Sequence, residues 1–118
     1  MATYTKALLS QSNSGLPITV VATSTATLTN IHAATAAGLH ELWLWGNNTA
    51  TANASALVTI MWGPTGNSGY IQTALSANGG LQLLVPGLIL SNSATAQAFT
   101  TTNAATGIQI IGFVNIIN

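Results

Sequence analysis

Charged side chains are almost absent from this chain. Only 2% of its 118 residues are Asp, Glu, Lys or Arg, and the formal net charge at pH 7 is zero. Ordinary globular domains carry about 25% charged residues. Nucleic-acid binding needs a basic surface, and electrostatic binding to a membrane needs a polybasic patch. We therefore expect neither a nucleic acid nor a membrane as partner.

Cysteine and long apolar runs are also missing. Without cysteine the chain forms no disulfide and no thiolate metal site. No apolar run approaches the roughly 18 residues of a transmembrane helix. Residues 1–10 contain one cation and one apolar pair, far short of a signal peptide. We expect a protein that is made in the cytoplasm.

Few side chains are suited to acid–base or nucleophilic chemistry: Lys6, His32, His40 and Glu41. A single acidic residue cannot supply the paired carboxylates of a glycosidase. A Ser-His-Asp arrangement fails because Asp is absent and Glu41 adjoins His40. Two histidines and one carboxylate are a known metal-ligand set, but adjacent strand residues point to opposite faces. We expect no catalytic residue, no cofactor and no metal.

Thr, Ser, Asn, Gln and Ala take the place of the charged residues, and turn signals recur along the chain. The segments between the Gly, Pro and Asn clusters are rich in β-branched residues and Leu, as β-strands are. The one helical competitor, residues 33–37, is too short and is followed by Gly38. The pattern predicts an all-β protein, an antiparallel β-sandwich or jelly roll of about eight short strands. The predicted strands are residues 16–21, 25–31, 39–45, 56–62, 70–74, 81–90 with a break at Pro86-Gly87, 94–102 and 108–117.

The chain length suits a single domain. Residues 1–15 are polar and end in the turn signal Asn13-Ser14-Gly15. We expect them to form an extended N-terminal arm that becomes ordered on a neighbouring molecule. Residues 16–118 are expected to form the β-sandwich domain.

Two predicted strands, 39–45 and 108–117, are apolar on both faces. A strand in a two-layer sandwich needs only one apolar face, because the other meets water. A net charge of zero also leaves nothing to repel neighbouring copies. We therefore expect the outer face of one sheet to pack against another copy or a partner.

The aromatic residues are the main candidates for that contact. Trp43 and Trp45 share a strand face with Glu41, and Trp62 ends the next predicted strand, so the three tryptophans are expected to cluster. Core packing, interface anchoring and sugar stacking are the alternatives for them. The candidate interface residues are Glu41, Trp43, Trp45, Trp62 and Phe113.

The order of the strands resembles that of small bacteriophage virion proteins of the capsid decoration, or cement, type with a jelly-roll fold. The resemblance covers about residues 16–117 and is one of strand pattern and composition. The segments that carry it are Ala26-Thr27-Leu28-Thr29-Asn30-Ile31-His32, the strand that ends in Asn47-Asn48-Thr49, Leu57-Val58-Thr59-Ile60-Met61-Trp62, Val85-Pro86-Gly87-Leu88-Ile89-Leu90 and the last strand, 108–117.

This resemblance implies a non-enzymatic structural protein that binds and stabilises the phage head as a homo-oligomer, commonly a trimer. The implied partner is the major capsid protein, and the implied location is the capsid surface after synthesis in the host cytoplasm. The extreme loss of charge departs from that pattern. A small tail or fibre component, a carbohydrate-binding module that recognises a host surface, and a self-assembling filament protein remain alternatives.

Overall fold

Two antiparallel sheets packed face to face form the molecule, so the predicted β-sandwich is confirmed. The computed structural model describes residues 3–23, 28–49, 55–63, 69–77, 79–100 and 107–118. In these ranges no helix is long and apolar enough to cross a membrane. The strands are β1 (Tyr4–Leu8), β2 (Ile18–Thr19), β3 (Thr29–Ala33), β4 (Leu39–Asn48), β5 (Ala56–Gly63), β6 (Gly69–Leu75), β7 (Gln82–Leu90), β8 (Thr95–Thr100) and β9 (Ile108–Ile117).

The strand order follows a hairpin rolled up on itself. The first sheet has the order β1-β9-β4-β7, with β2 also paired to β9, and the second has the order β3-β8-β5-β6. The pairs β1·β9, β3·β8, β4·β7 and β5·β6 thus lie progressively closer together along the chain. With β1 and β2 taken as one interrupted strand, this is the eight-stranded jelly-roll arrangement.

The core lies between the sheets and consists of apolar side chains from both. In β4 the even-numbered residues from His40 to Asn48 are buried, whereas the odd-numbered ones are half-buried or exposed. Burying each Leu, Ile or Val contributes about 1.5–3 kcal/mol. The largest fully buried side chains are Leu9, Val20, Ile31, Leu42, Leu44, Val58, Ile60, Leu75, Val85, Leu90, Ile108 and Ile110.

The N-terminal residues differ from the expected arm. Residues 4–8 are β1, an edge strand that pairs with β9 from Tyr4 opposite Ile117 to Leu8 opposite Phe113. Leu9 is part of the core. The physical reason is the length of β9: β2 pairs with only two of its ten residues, and the remaining backbone groups on that side need hydrogen-bond partners.

Pro86-Gly87 does not interrupt β7, contrary to the predicted break. β7 is an edge strand paired only with β4, a position that tolerates a residue without a backbone N–H. The pairing of β4 with β7 shifts register on both sides of Trp43 and Leu44, and Gly87 has a φ of +89°. A bulge therefore accommodates the dipeptide within a continuous strand.

Strand ends also differ. The predicted strand at 16–21 is reduced to Ile18–Thr19, and the next begins at Thr29 and continues to Ala33. Residues 25–27 and 101–102, which were assigned to predicted strands, lie outside the described residues.

Gly112 is the position where a side chain should disturb the first sheet most. It lies opposite Leu44, and a β-carbon there would collide with the Trp43 carbonyl oxygen and lie 3.1 Å from the Leu44 Cα. Because β4 and β9 would have to separate, we expect Gly112→Ala to lower the free energy of unfolding by more than about 3 kcal/mol or to prevent folding. Urea denaturation followed by tryptophan fluorescence measures this.

Gly80→Ala is the control for this substitution. A β-carbon at Gly80 meets no atom within 4 Å, and only its φ of +74° opposes a side chain. A loss of about 1 kcal/mol is expected there. Equal losses at both positions would contradict the close packing inferred at Gly112.

Candidate binding surface

The outer face of the first sheet carries the candidate site and is called the aromatic face below. Because residues 40, 42 and 44 of β4 are buried, the strand periodicity places Glu41, Trp43 and Trp45 on the outside. Residues directly opposite each other in an antiparallel sheet share a face. Phe113 of β9, opposite Trp43, and Asn115, opposite Glu41, therefore belong to the same surface.

Three aromatic rings form a compact cluster on this face. The ring centroids of Trp43 and Trp45 are 6.3 Å apart, and Phe113 lies 6.4 Å from Trp43 and 5.9 Å from Trp45. The interplanar angles are 13–28°, so the rings are close to parallel. Such pairs contribute about 0.5–1.5 kcal/mol each beyond area burial. All three side chains are half-buried.

Both charged side chains of the molecule are attached to this cluster. The Lys6 ammonium lies 4.6 Å from the centroid of the Phe113 ring, a cation–π contact. The Oε1 atom of Glu41 accepts hydrogen bonds from Trp43 Nε1 at 2.7 Å and from Asn115 Nδ2 at 3.0 Å. These two bonds, first the one from Trp43, hold the pKa of Glu41 below its usual value, and the carboxylate stays ionised.

Exposed apolar side chains surround the cluster. Tyr4 and Leu39 lie opposite Ile117, Leu8 lies opposite Phe113, Leu83 opposite Trp45 and Ile89 opposite Glu41. The exposed fractions of five of these side chains range from 43% to 73%: Tyr4, Leu8, Leu39, Leu83 and Ile89. Scattered exposed apolar residues are normal, but a contiguous apolar patch marks a binding surface.

Trp62 does not join the other tryptophans. It is the penultimate residue of β5 in the second sheet, whereas Trp43 and Trp45 are in the first, because the chain crosses from one sheet to the other between β4 and β5. Its side chain is partly buried against the core. A β-carbon on Gly69 would lie 2.6 Å from the Trp62 ring, so the indole packs directly on that glycine. Of the five candidate residues, the structure brings together Glu41, Trp43, Trp45 and Phe113.

Lys6 and Asn115 complete the surface but were not among the sequence candidates. Lys6 was assigned to an arm, so its contact with Phe113 was not anticipated. Asn115 carries a usable signal, since it lies two residues after Phe113 and therefore on the same strand face. Only the pairing of β9 with both β1 and β4 places these side chains around one cluster.

The two histidines form a separate, buried pair that links the two sheets. His32 in β3 and His40 in β4 have their Nε2 and Nδ1 atoms, respectively, 2.8 Å apart. Glu41 lies on the opposite face of β4, so it does not complete a ligand set with them. The described residues contain no group of three His, Cys, Asp or Glu side chains that could hold a metal ion.

The hydrogen bond from the Ser10 backbone determines the tautomer of His32. The Ser10 backbone N–H donates to His32 Nδ1 at 2.9 Å, so a neutral His32 carries its proton on Nε2 and donates to His40 Nδ1. The Nε2 atom of His40 lies 3.3 Å from the Thr35 hydroxyl oxygen and 3.5 Å from the Thr35 backbone nitrogen, whose N–H is directed at it. The Thr35 hydroxyl in turn donates to the Ala37 carbonyl oxygen. A donor thus faces the Nδ1 atom of each ring, Ser10 N–H at His32 and His32 Nε2–H at His40, and an unprotonated Nδ1 leaves both rings neutral.

Protonation of either ring would place a new N–H against an existing donor. Burial, and secondarily the neighbouring His40, lowers the pKa of His32 to about 4. Burial also lowers the pKa of His40. The pair is a structural contact between the sheets, and Ser10, whose Oγ accepts from the Ala33 N–H at 2.9 Å, attaches the end of β1 to it.

A shallow depression lies on the outer face of the second sheet. It has a volume of about 210 Å³ and is lined by Thr59, Met61, Tyr70, Gln72 and Phe99. The Gln72 amide donates to the Thr59 hydroxyl at 3.2 Å, so these two polar side chains contact each other. This surface lacks the two charges and the ring cluster that distinguish the aromatic face.

No protein-family model, no curated protein and no solved structure matches the chain. The chemistry available at the aromatic face is apolar and aromatic contact, one cation and one carboxylate.

The histidine pair predicts a pH-dependent stability. Because the pKa values are lower in the folded than in the unfolded chain, the unfolded chain binds more protons between about pH 6.5 and pH 4. The contribution of the histidine pair to the free energy of unfolding is fully present above pH 6.5 and decreases as the pH falls towards 4. We expect the free energy of unfolding to be roughly 1–2 kcal/mol lower at pH 5 than at pH 7.5, measured by urea denaturation.

The composition allows this pH dependence to be assigned to the histidine pair. The two histidines are the only side chains of the sequence whose ordinary pKa lies between pH 5 and pH 7.5. A His32→Gln/His40→Gln variant should therefore show nearly equal stability at both pH values. If the stability of the wild type depended on pH as little as that of this variant, the folded state would not require a neutral histidine pair.

Proposed function

We propose that this chain is a non-enzymatic structural protein whose aromatic face is buried in an assembly. Within that class we propose a capsid decoration protein that binds and stabilises a phage head as a homo-oligomer, with the major capsid protein as partner. The observation that carries the proposal is the set of exposed apolar and aromatic side chains on the first sheet, in a molecule with only two charged side chains. Such a surface favours burial against protein over contact with water.

The state of the ionisable side chains supports binding rather than catalysis. His32 and His40 use their ring nitrogens in one buried hydrogen-bond chain. Lys6 contacts an aromatic ring, and Glu41 is held by Trp43 and Asn115 with a lowered pKa. A general acid or base needs a pKa near the working pH, and the lowered pKa of Glu41 lies further from neutrality than the ordinary value.

The jelly-roll arrangement is consistent with this proposal, since double-sheet jelly rolls are frequent in viral capsid proteins. A protein that binds only the assembled shell stabilises it by mass action, by several kcal/mol at sites that are filled well above their Kd. A small tail or fibre component would use the same sandwich and the same kind of contact, and it is the nearest alternative.

A carbohydrate-binding role is the second candidate, and one observation favours it. The near-parallel Trp43, Trp45 and Phe113 rings lie beside a carboxylate and the Asn115 amide. Apolar surface with a few fixed polar groups is the usual composition of a small-ligand site. In this case a glycan array probed with the purified protein should give signals that Trp43→Ala abolishes.

Particle labelling tests the decoration proposal directly. Antibodies raised against the chain are applied to purified particles of the phage that carries its gene, and electron microscopy locates the gold label. We expect label on the head. Label confined to the tail would support the tail alternative, and particles without the chain would contradict both.

Substitution of the ring cluster tests whether the aromatic face is the contact. In an add-back assay with particles that lack the protein, we expect Trp43→Ala and Phe113→Ala each to weaken binding at least about tenfold, as for buried aromatic anchors. Tyr70→Ala is the matched control, because it removes an exposed aromatic ring from the second sheet. Equal losses for all three variants would argue against the aromatic face.

A further inference from the structure

We propose that the aromatic face binds a second copy of this chain, with Lys6 of one copy paired to Glu41 of its neighbour. This inference rests on the proposed function, because it names the molecule that covers the face in the assembly. Two points support it: the position of the two charges on that face, and the free energy that burying them without countercharges would cost.

The two charges lie in one cross-strand row. Lys6 is opposite Asn115, and Asn115 is opposite Glu41, so the two charged residues are separated by two strand spacings, or about 10 Å. Each side chain contacts its own neighbours: the ammonium lies over the Phe113 ring, and both hydrogen bonds to the carboxylate end on Oε1. The Oε2 atom thus keeps the capacity to accept another donor.

Covering this row with an uncharged surface would be unfavourable. Both charges would lose water without gaining a countercharge, and burying an unpaired charge costs several kcal/mol. A partner of one sign would satisfy one charge and repel the other. A fitting partner presents one cation and one anion at a matching separation.

A second copy of this chain meets that requirement, because it carries the same cation and the same anion. Lys6 and Glu41 are the only residues of their charge in the chain, so another copy can supply countercharges only by presenting this same face. In a two-fold dimer both Lys6–Glu41 pairs form, and in a closed ring each Lys6 meets the next Glu41. Each protomer has no net charge, and every charge in the buried surface is paired.

The size of the face is sufficient for such contact. β4 and β9 have ten residues each, or about 34 Å, and four strands span about 19 Å. Because β1 has five residues and β7 has nine, the plan area is roughly 550 Å², about two-thirds of the roughly 800 Å² that each partner contributes to a standard interface. The side chains that project from the sheet add to the accessible area.

A charge-exchange experiment tests the pairing on the purified full chain. Sedimentation equilibrium over a range of concentrations, in low salt, is applied to the wild type, Lys6→Glu, Glu41→Lys and the double variant Lys6→Glu/Glu41→Lys. We expect a closed oligomer for the wild type and a dissociation constant at least tenfold higher for each single variant. The double variant should associate more tightly than either single one, because opposite charges meet again.

Two controls separate this effect from unfolding and from net charge. Circular dichroism and a denaturation curve establish that every variant is folded, which matters because Glu41→Lys also removes the acceptor for Trp43 Nε1. Glu41→Lys and the double variant both lack this acceptor. The difference between their dissociation constants therefore reports the intermolecular pair. Gln72→Lys/Ala74→Lys adds the same net charge as Glu41→Lys, at two exposed positions of the second sheet, and should leave association unchanged.

The outcomes separate this inference from the proposed function. If the dissociation constant of the oligomer were the same in all charge variants, the interface would lie elsewhere and the pairing would be overturned. Particle labelling would still decide the decoration role. A wild type that remains monomeric at every concentration would also overturn it and leave the aromatic face free for the capsid protein or a glycan. Recovery in the double variant supports the pairing even if particle labelling fails.

Discussion

The ten-residue pairing of β4 with β9 is the constraint on which the rest of the molecule depends. These strands lie at the centre of the first sheet, and side chains alternate between its faces. Leu42, Leu44 and Val114 are directed into the core, so Trp43 and Phe113 must be on the outside. One periodicity thus creates the sandwich core and the surface that we propose to be buried in an assembly. It also requires Gly112, because the backbones meet too closely there for a side chain.

Polar contacts replace ion pairs inside this weakly charged molecule. His32 and His40 connect the two sheets through neutral rings, and the Asn48 amide donates to the Leu75 carbonyl at 3.1 Å. No buried side-chain nitrogen or oxygen of the described residues lacks a hydrogen-bond partner. The few ionisable groups are thereby divided between two roles: the histidines are neutral in the interior, and Lys6 and Glu41 are charged at the outer face.

Sequence reasoning was most successful where periodicity carries the information. The all-β class and the two-faced character of residues 39–45 follow from short-range pattern, and so does the shared face of Glu41, Trp43 and Trp45. It was wrong where pairing overrides local signals. Residues 4–8 became a strand because β9 had unpaired backbone, and Pro86-Gly87 continued β7 because an edge position tolerates it. The oligomer, the phage particle and the partner remain predictions.

The sequence by itself determined the fold class, the near absence of charge and which residues of each strand share a face, because these depend on composition and on a period of two. Only the tertiary structure decided which faces meet. It separated Trp62 from the other tryptophans by placing β5 in the other sheet, and it brought Lys6 to Phe113 and His32 to His40. These contacts join residues far apart in the chain, and local pattern holds no information on which strands will be neighbours.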